Sequence, residues 1–451
     1  MSLPVFAARR LPRLAKQQRR LRQSIALAAC FLTAACAGEP NLGEPGFVAG
    51  FAGAAVADEP HAALAGRDIL SQGGTAGDAA AAMFFTLTMT KPAAAGLMAS
   101  GVCLGYDPAG DYHQAYRFQT PAAVRAFAAI QARFGSLPWR QSVSSAEAMA
   151  RFGGRLSKSF VEDWPARPAL NDAAYAIYGK RPKVGDEIRN LDLAGLLGQI
   201  RLNGAGSFYT GLAAKQVWEA MEAAGIAIDR ERWRQALPQF ADSIRVEFGN
   251  HHAAFAPFQD TTGPAEAAIW PALEDDGMDA LPGLLRSNGL SGKASAVEET
   301  AFAAADRFGG GVACTITMGA PFGTGRAIAG TFHANPATPS GSQILISNKP
   351  TKVFFTAIAS SGIPGWASAA ALATLDDDLR LAEALAIPRA IPAAGGGVLG
   401  ERGAAPQGSV NSVESLGRVS AIVCHRGLPN VPQSCETVTD PRGKGYGAIA
   451  D

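Results

Sequence analysis

The stretch that most constrains this chain runs from Glu299 to Gly325. It is an apolar run, Thr300 to Asp306, then Gly309-Gly310-Gly311, then a second run from Val312 to Met318. Short apolar runs around a glycine cluster predict a β-hairpin with strands at Thr300 to Asp306 and Val312 to Met318. Side chains alternate along a strand, so Val312, Cys314, Ile316 and Met318 share one face while Thr315 and Thr317 share the other. Two hydroxyls therefore look the same way. Phe322-Gly323-Thr324-Gly325 follows and lets the backbone come close to whatever they serve.

At 451 residues the chain can bury one large layered core or two smaller ones, and 48% hydrophobic with 18% charged residues marks a folded body. The first 35 residues stand apart. Arg9, Arg10, Arg13, Lys16, Arg19, Arg20 and Arg22 precede an apolar run, Ile25 to Ala35, too short to span a membrane. This is the layout of a signal peptide. Leu32-Thr33-Ala34-Ala35-Cys36 is similar to a bacterial lipoprotein cleavage site, with Cys36 as the lipidated first mature residue; the alternative is an ordinary cleaved signal peptide. Export to the periplasm, or to the outer membrane as a lipoprotein, follows, with membrane contact only through that anchor.

Setting those seven cations aside leaves 33 basic against 39 acidic residues, a formal charge of −6, which offers nucleic acid no basic face. Cys103 and Cys314 lie in apolar strand-like runs and read as buried hydrophobes. Cys424 and Cys435 flank a turn and read as a disulfide in an exported chain. The six histidines are scattered, and His251-His252 would point to opposite faces of a strand, so no metal site is expected.

Residues 61 to 71 predict a helix ended by Gly73-Gly74. Asp78 then suits the first turn of a nearly all-apolar helix, Ala79 to Thr88, stopped by Lys91-Pro92. A glycine loop leads to strands Val102 to Tyr106 and Tyr112 to Phe118. In lettering, Gly73-Gly74-x-Ala76-x-Asp78-Ala79, Pro92 and Tyr106-Asp107 resemble the large-subunit start of the γ-glutamyltransferases, or glutathione hydrolases. Arg117 to Pro121, Gly135-Ser136-Leu137-Pro138-Trp139, Asn190-Leu191-Asp192-Leu193-Ala194, Phe208-Tyr209-Thr210-Gly211 and Thr439-Asp440-Pro441-Arg442 continue it in order. The chain departs with Thr75 for Asn and Lys91 for Glu. It is also short between Asp242 and Glu298, where Leu281 to Val297 reads as a connector.

The resemblance implies an α+β, four-layer αββα N-terminal-nucleophile hydrolase fold, whereas periodicity alone gives only mixed α and β. It divides the chain into a signal peptide (1–35), a large-subunit-like region (36–298) and a small-subunit-like region (299–451), with no cofactor. Such proteins cut themselves before a threonine that becomes the nucleophile. Aligned on Asp306, that position is Glu299, and a carboxylate cannot perform the hydroxyl shift. Thr300 is the nearest hydroxyl, placing a cut between Glu299 and Thr300, but one step turns it to the other face unless a bulge or register slip intervenes. Arg117 matches the carboxylate-binding arginine, Thr317 the threonine supporting the nucleophile, and Ser347 one hydroxyl of a substrate-binding pair. Ser360-Ser361 stands at the oxyanion loop. Gly319 and Pro339 replace an Asn and an Asp that contact substrate. Two readings result: an active hydrolase or transpeptidase of small γ-glutamyl compounds through Thr300, or an exported binding or scaffold pseudoenzyme whose pocket takes such a compound or another small carboxylate.

Overall fold

The protein, seen in a computed structural model, is described here for residues 50–451 apart from 166–168, 294–296, 377–378 and 405–409. Residues 1–35, expected to form a signal peptide, and Cys36 lie outside the described residues. The expected hairpin is the centre of the first sheet. Its strands are Glu299–Asp306 and Gly311–Thr317, paired antiparallel with Glu299 opposite Thr317.

Numbering sheet strands in chain order gives β1 (Gly53–Ala57), β2 (Ser100–Asp107), β3 (Tyr112–Phe118), β4 (Gln239–Asp242), β5 (Ile244–Phe248) and β6 (His251–Phe255). The hairpin is β7 and β8. Then come β9 (Gln343–Asn348), β10 (Phe354–Ser361), β11 (Arg418–Leu428), β12 (Cys435–Thr439) and β13 (Tyr446–Ala450). One sheet runs β13-β1-β7-β8-β2-β3-β4 and the other β12-β11-β10-β9-β6-β5. Both are antiparallel throughout. Strands from either side of Glu299 interleave in the first sheet and pair edge to edge in the second, so the two regions build one body.

Alternation sorts the side chains into three cores. Between the sheets lie Ala301, Ala303 and Ala305 of β7, Ala313 of β8, and Leu345, Ala357 and Ala359 of the second sheet. The outer face of the first sheet, with Phe302, Ala304, Cys314 and Ile316, packs on helices α1 (Pro60–Ser71), α2 (Ala76–Thr90), α3 (Ala123–Phe134) and α4 (Trp139–Phe152). The outer face of the second, with Ile344, Ile346 and Ile358, packs on α5 (Gly263–Asp276) and α6 (Trp366–Leu375). This is αββα layering. α2 is buried along its whole length, as its all-apolar composition predicts, and Asp78 accepts from the Thr75 N–H and hydroxyl at its start.

Two expectations need correction. Cys103 and Cys314 are not separate buried hydrophobes: they stand directly opposite in β2 and β8 and form a disulfide. Adjacent strands in that register turn both thiols to one face, a pairing invisible at a sequence separation of 211. Cys424 and Cys435 are likewise opposite, in β11 and β12, and joined. Leu281 to Val297 does not begin as plain connector, because Leu281–Ser287 is helical with Leu281 and Leu285 buried.

Lys91 is buried at the end of α2, where it pairs with Asp163 and donates to Ser159 Oγ at 3.1 Å. Arg418 of β11 reaches the other oxygen of Asp163 at 2.8 Å. A buried charge stripped of one partner is costly even where a second cation remains. Lys91→Met is therefore expected to lower unfolding free energy by about 3 kcal/mol, read from guanidinium denaturation midpoints against the unaltered chain.

Candidate functional site

The site is the start of β7. The Glu299 carboxylate, 3% exposed, lies between the sheets. Its Oε1 accepts from the Ser340 N–H at 2.8 Å and the Ser340 hydroxyl at 2.9 Å. Its Oε2 accepts from the N–H groups of Gly341 at 3.2 Å and Gly362 at 2.8 Å. These donors converge because Ser340 and Gly341 lead into β9 while Gly362 follows β10, its antiparallel neighbour. Gly341 passes so near Ser360 that a Cβ would fall 1.8 Å from its carbonyl oxygen, and Gly362 sits at φ 74°. Only glycine fits either position without strain.

Thr317, opposite Glu299, donates to the Glu298 carbonyl at 3.1 Å and accepts from the Gly319 N–H at 3.0 Å. The Met318 N–H also donates to that carbonyl at 3.0 Å. The carbonyl of the peptide joining Glu298 to Glu299 thus accepts two hydrogen bonds.

Thr300 turns elsewhere. Its hydroxyl donates to Asp58 at 3.3 Å, and Asp58 also accepts from the Ala301 N–H at 3.1 Å, the Ser361 hydroxyl at 3.3 Å and the Ser420 hydroxyl at 3.4 Å. Burial pushes the Asp58 carboxyl above its usual range, against the pull of Arg418 and Lys91. Ser360 donates to the Ile363 carbonyl at 2.7 Å and accepts from the Ser342 N–H at 2.9 Å. Neither serine side chain meets Glu299; the next residue's backbone does.

Arg117, on β3, donates to Gln239 at 2.9 Å and pairs with Asp260, which also accepts from the Thr338 hydroxyl at 3.3 Å. Thr338, Pro339, Ser340 and Gly341 form one strap between the Arg117–Asp260 pair and Glu299. Ser347 stands apart, against His113 Nε2 at 3.2 Å. It lies four residues beyond Gln343, about 13 Å along β9. Sequence reasoning missed Ser340, Gly341, Asp58 and Asp260. Pro339-Ser340-Gly341-Ser342 reads as an ordinary turn, and nothing ties it locally to a residue 41 positions earlier.

Among the described residues no group of three or more His, Cys, Asp or Glu could hold a metal, and no helix is long and apolar enough to cross a membrane.

The layering matches that of cephalosporin acylase from Bacillus halodurans, with a TM-score of 0.68 at 17% identity, covering 92% of this chain and 99% of that one. The fold is that of the N-terminal-nucleophile hydrolases. The family profile for gamma-glutamyltranspeptidase matches residues 114–275. Glutathione hydrolase 7 of Bos taurus is 25% identical over 261 residues, 51% of this chain and 39% of that protein. The glutathione hydrolase proenzyme of Pseudomonas aeruginosa is 26% identical over 259 residues, 50% and 46% respectively. Over part of its length the chain is similar to the gamma-glutamyltranspeptidase family, and its matches span less than half the length of these curated relatives.

Burial pushes the Glu299 carboxyl above its ordinary 4.5, opposed by the Ser340 and Gly362 donors. For a raised acid, the stability contribution is complete below the unfolded value and is lost as pH climbs through the folded one. Glutamine does not titrate. The melting temperature of the unaltered chain relative to Glu299→Gln is therefore expected to fall as pH rises above the ordinary glutamate value. A difference that stays flat or rises across paired thermal melts would contradict this account of the seat.

Proposed function

We propose that this chain is an exported gamma-glutamyltranspeptidase-family protein that has lost self-cleavage and hydrolysis and serves as a binding module for a small carboxylate. One observation carries the reading: the side chain at the nucleophile's position is a carboxylate, already seated on four converging hydrogen-bond donors. A carboxyl group so held, protonated or not, offers no alcohol oxygen for an N–O shift and so has no path to an ester. Catalytic groups of this kind act as a unit, so loss of the nucleophile alone removes nearly all rate. Thr300 is the rival nucleophile, and its hydroxyl is committed to Asp58 instead of the converging donors, which favours the non-catalytic reading.

Relatives named glutathione hydrolases point to a γ-glutamyl compound or a similar small carboxylate as ligand, with Arg117 as its receptor. The two disulfides fit an oxidising compartment, and the sequence before Gly50 fits export with lipidation at Cys36. On this reading residues 36–298 and 299–451 remain one uncut chain.

The mature chain, run denatured and weighed intact, is expected to be a single uncleaved species that releases nothing from a γ-glutamyl anilide. A cut between Glu299 and Thr300 with turnover would sink the proposal in favour of a Thr300 hydrolase. Glutamate or glutathione is expected to raise the melting temperature of the unaltered chain and not of Arg117→Ala. A shift that survives in Arg117→Ala, or none in either protein, would remove Arg117 as the receptor.

A further inference from the structure

We propose that a groove at the turn end of the β7–β8 hairpin is a second binding site, built for an aromatic monoanion with Lys352 as its counter-charge. Asp306 and Gly310 line this groove, about 24 Å along β7 from Glu299. Its volume is about 630 Å³, within the range of small-molecule sites. Phe134, Phe308, Pro108 and Pro429 supply apolar walls, and Phe308 is 52% exposed, a large ring left open to solvent.

Its lining carries two acids, Asp107 and Asp306, and two cations, Arg133 and Lys352, but they are not paired one to one. Asp306 is buried, with its oxygens taken by the N–H groups of Ala76, Phe308 and Gly310, each at 2.9 Å. Arg133 is neutralised by Asp107 at 3.1 Å and lies over the Tyr112 ring. Lys352 has no ion-pair partner among the described residues.

Lys352 also holds an unusual backbone position. Its φ is 58°, the left-handed region where glycine is the default in a hairpin turn, and a side chain there costs stability. The buried Tyr106 hydroxyl donates to the Lys352 carbonyl at 2.9 Å and fixes that conformation, and the Tyr106 ring itself borders the groove. A strained, unpaired cation beside an exposed ring and apolar walls is complementary to a flat apolar body carrying one negative group.

The test titrates the full mature chain with 8-anilinonaphthalene-1-sulfonate, followed by fluorescence. Saturable binding is expected, displaced by 2-naphthoate and not by naphthalene. Lys352→Glu should weaken it about tenfold or more. Lys352→Gly, which relieves the left-handed strain, should melt higher while binding the probe less tightly, so that lost affinity cannot be ascribed to lost fold. Phe152→Ser, at an exposed ring on α4, should leave the titration unchanged. Absence of saturable binding, equal displacement by naphthalene, full affinity in either Lys352 variant, or equal weakening by Phe152→Ser would overturn the proposal.

Discussion

Everything in this structure depends on how little side chain separates the two sheets along β7. Ala301, Ala303 and Ala305 face the second sheet, and Ala357 and Ala359 of β10 belong to the same core. Small residues let the layers close tightly, and a closed layer leaves no slack in register. A one-residue slip of β7 would carry Phe302 into that space and send the alanines to the helices. The same register decides the site. With Ala301 fixed between the sheets, Glu299 must face inward on the same side, and Thr300 cannot.

A buried carboxylate with no cation on it survives only if its oxygens are satisfied. β7 has one at each end. Asp306 is met by backbone donors from the hairpin turn and the start of α2. Glu299 is met by donors from the ends of β9 and β10. Each therefore ties the first sheet to another layer, Asp306 to the outer helices and Glu299 to the second sheet. Removing the carboxylate at Glu299 would strand Gly341 and Gly362 N–H groups in the interior, a cost comparable to that of the seat itself.

What the sequence disclosed follows from the range of the interactions. The hairpin, the shared face of Thr315 and Thr317, the all-buried α2 and its Asp78 start rest on residues near in the chain, where period and capping chemistry speak. The four layers came through resemblance, because alternation cannot say which sheet a strand joins. The Cys103–Cys314 disulfide and the Ser340–Gly341–Gly362 donors were beyond reach for one reason: each pairs residues brought together only by non-local strand order. Lys91 shows the converse. As a letter it looked like a departure, and in the fold it is the partner of Asp163, which also receives Arg418.

The two internal carboxylates at the site differ in how firmly they hold. Glu299 is buried and bound by four donors from rigid strand ends, so nothing from solvent can take its place without opening the layer. Asp260 is 45% exposed and meets an Arg117 side chain that is itself 18% exposed. Exposed pairs of this kind are worth about 0–1 kcal/mol. An incoming carboxylate would therefore exchange with Asp260 at Arg117, and Thr338, which donates to Asp260, would be the first part of the strap to feel it. Beyond Thr338 the strap is held by Ser340 and Gly341 on Glu299, so that movement has a fixed end. The geometry separates two anion seats: the one at the rim, on Arg117, is exchangeable, while the one at the start of β7 is filled by the chain's own Glu299.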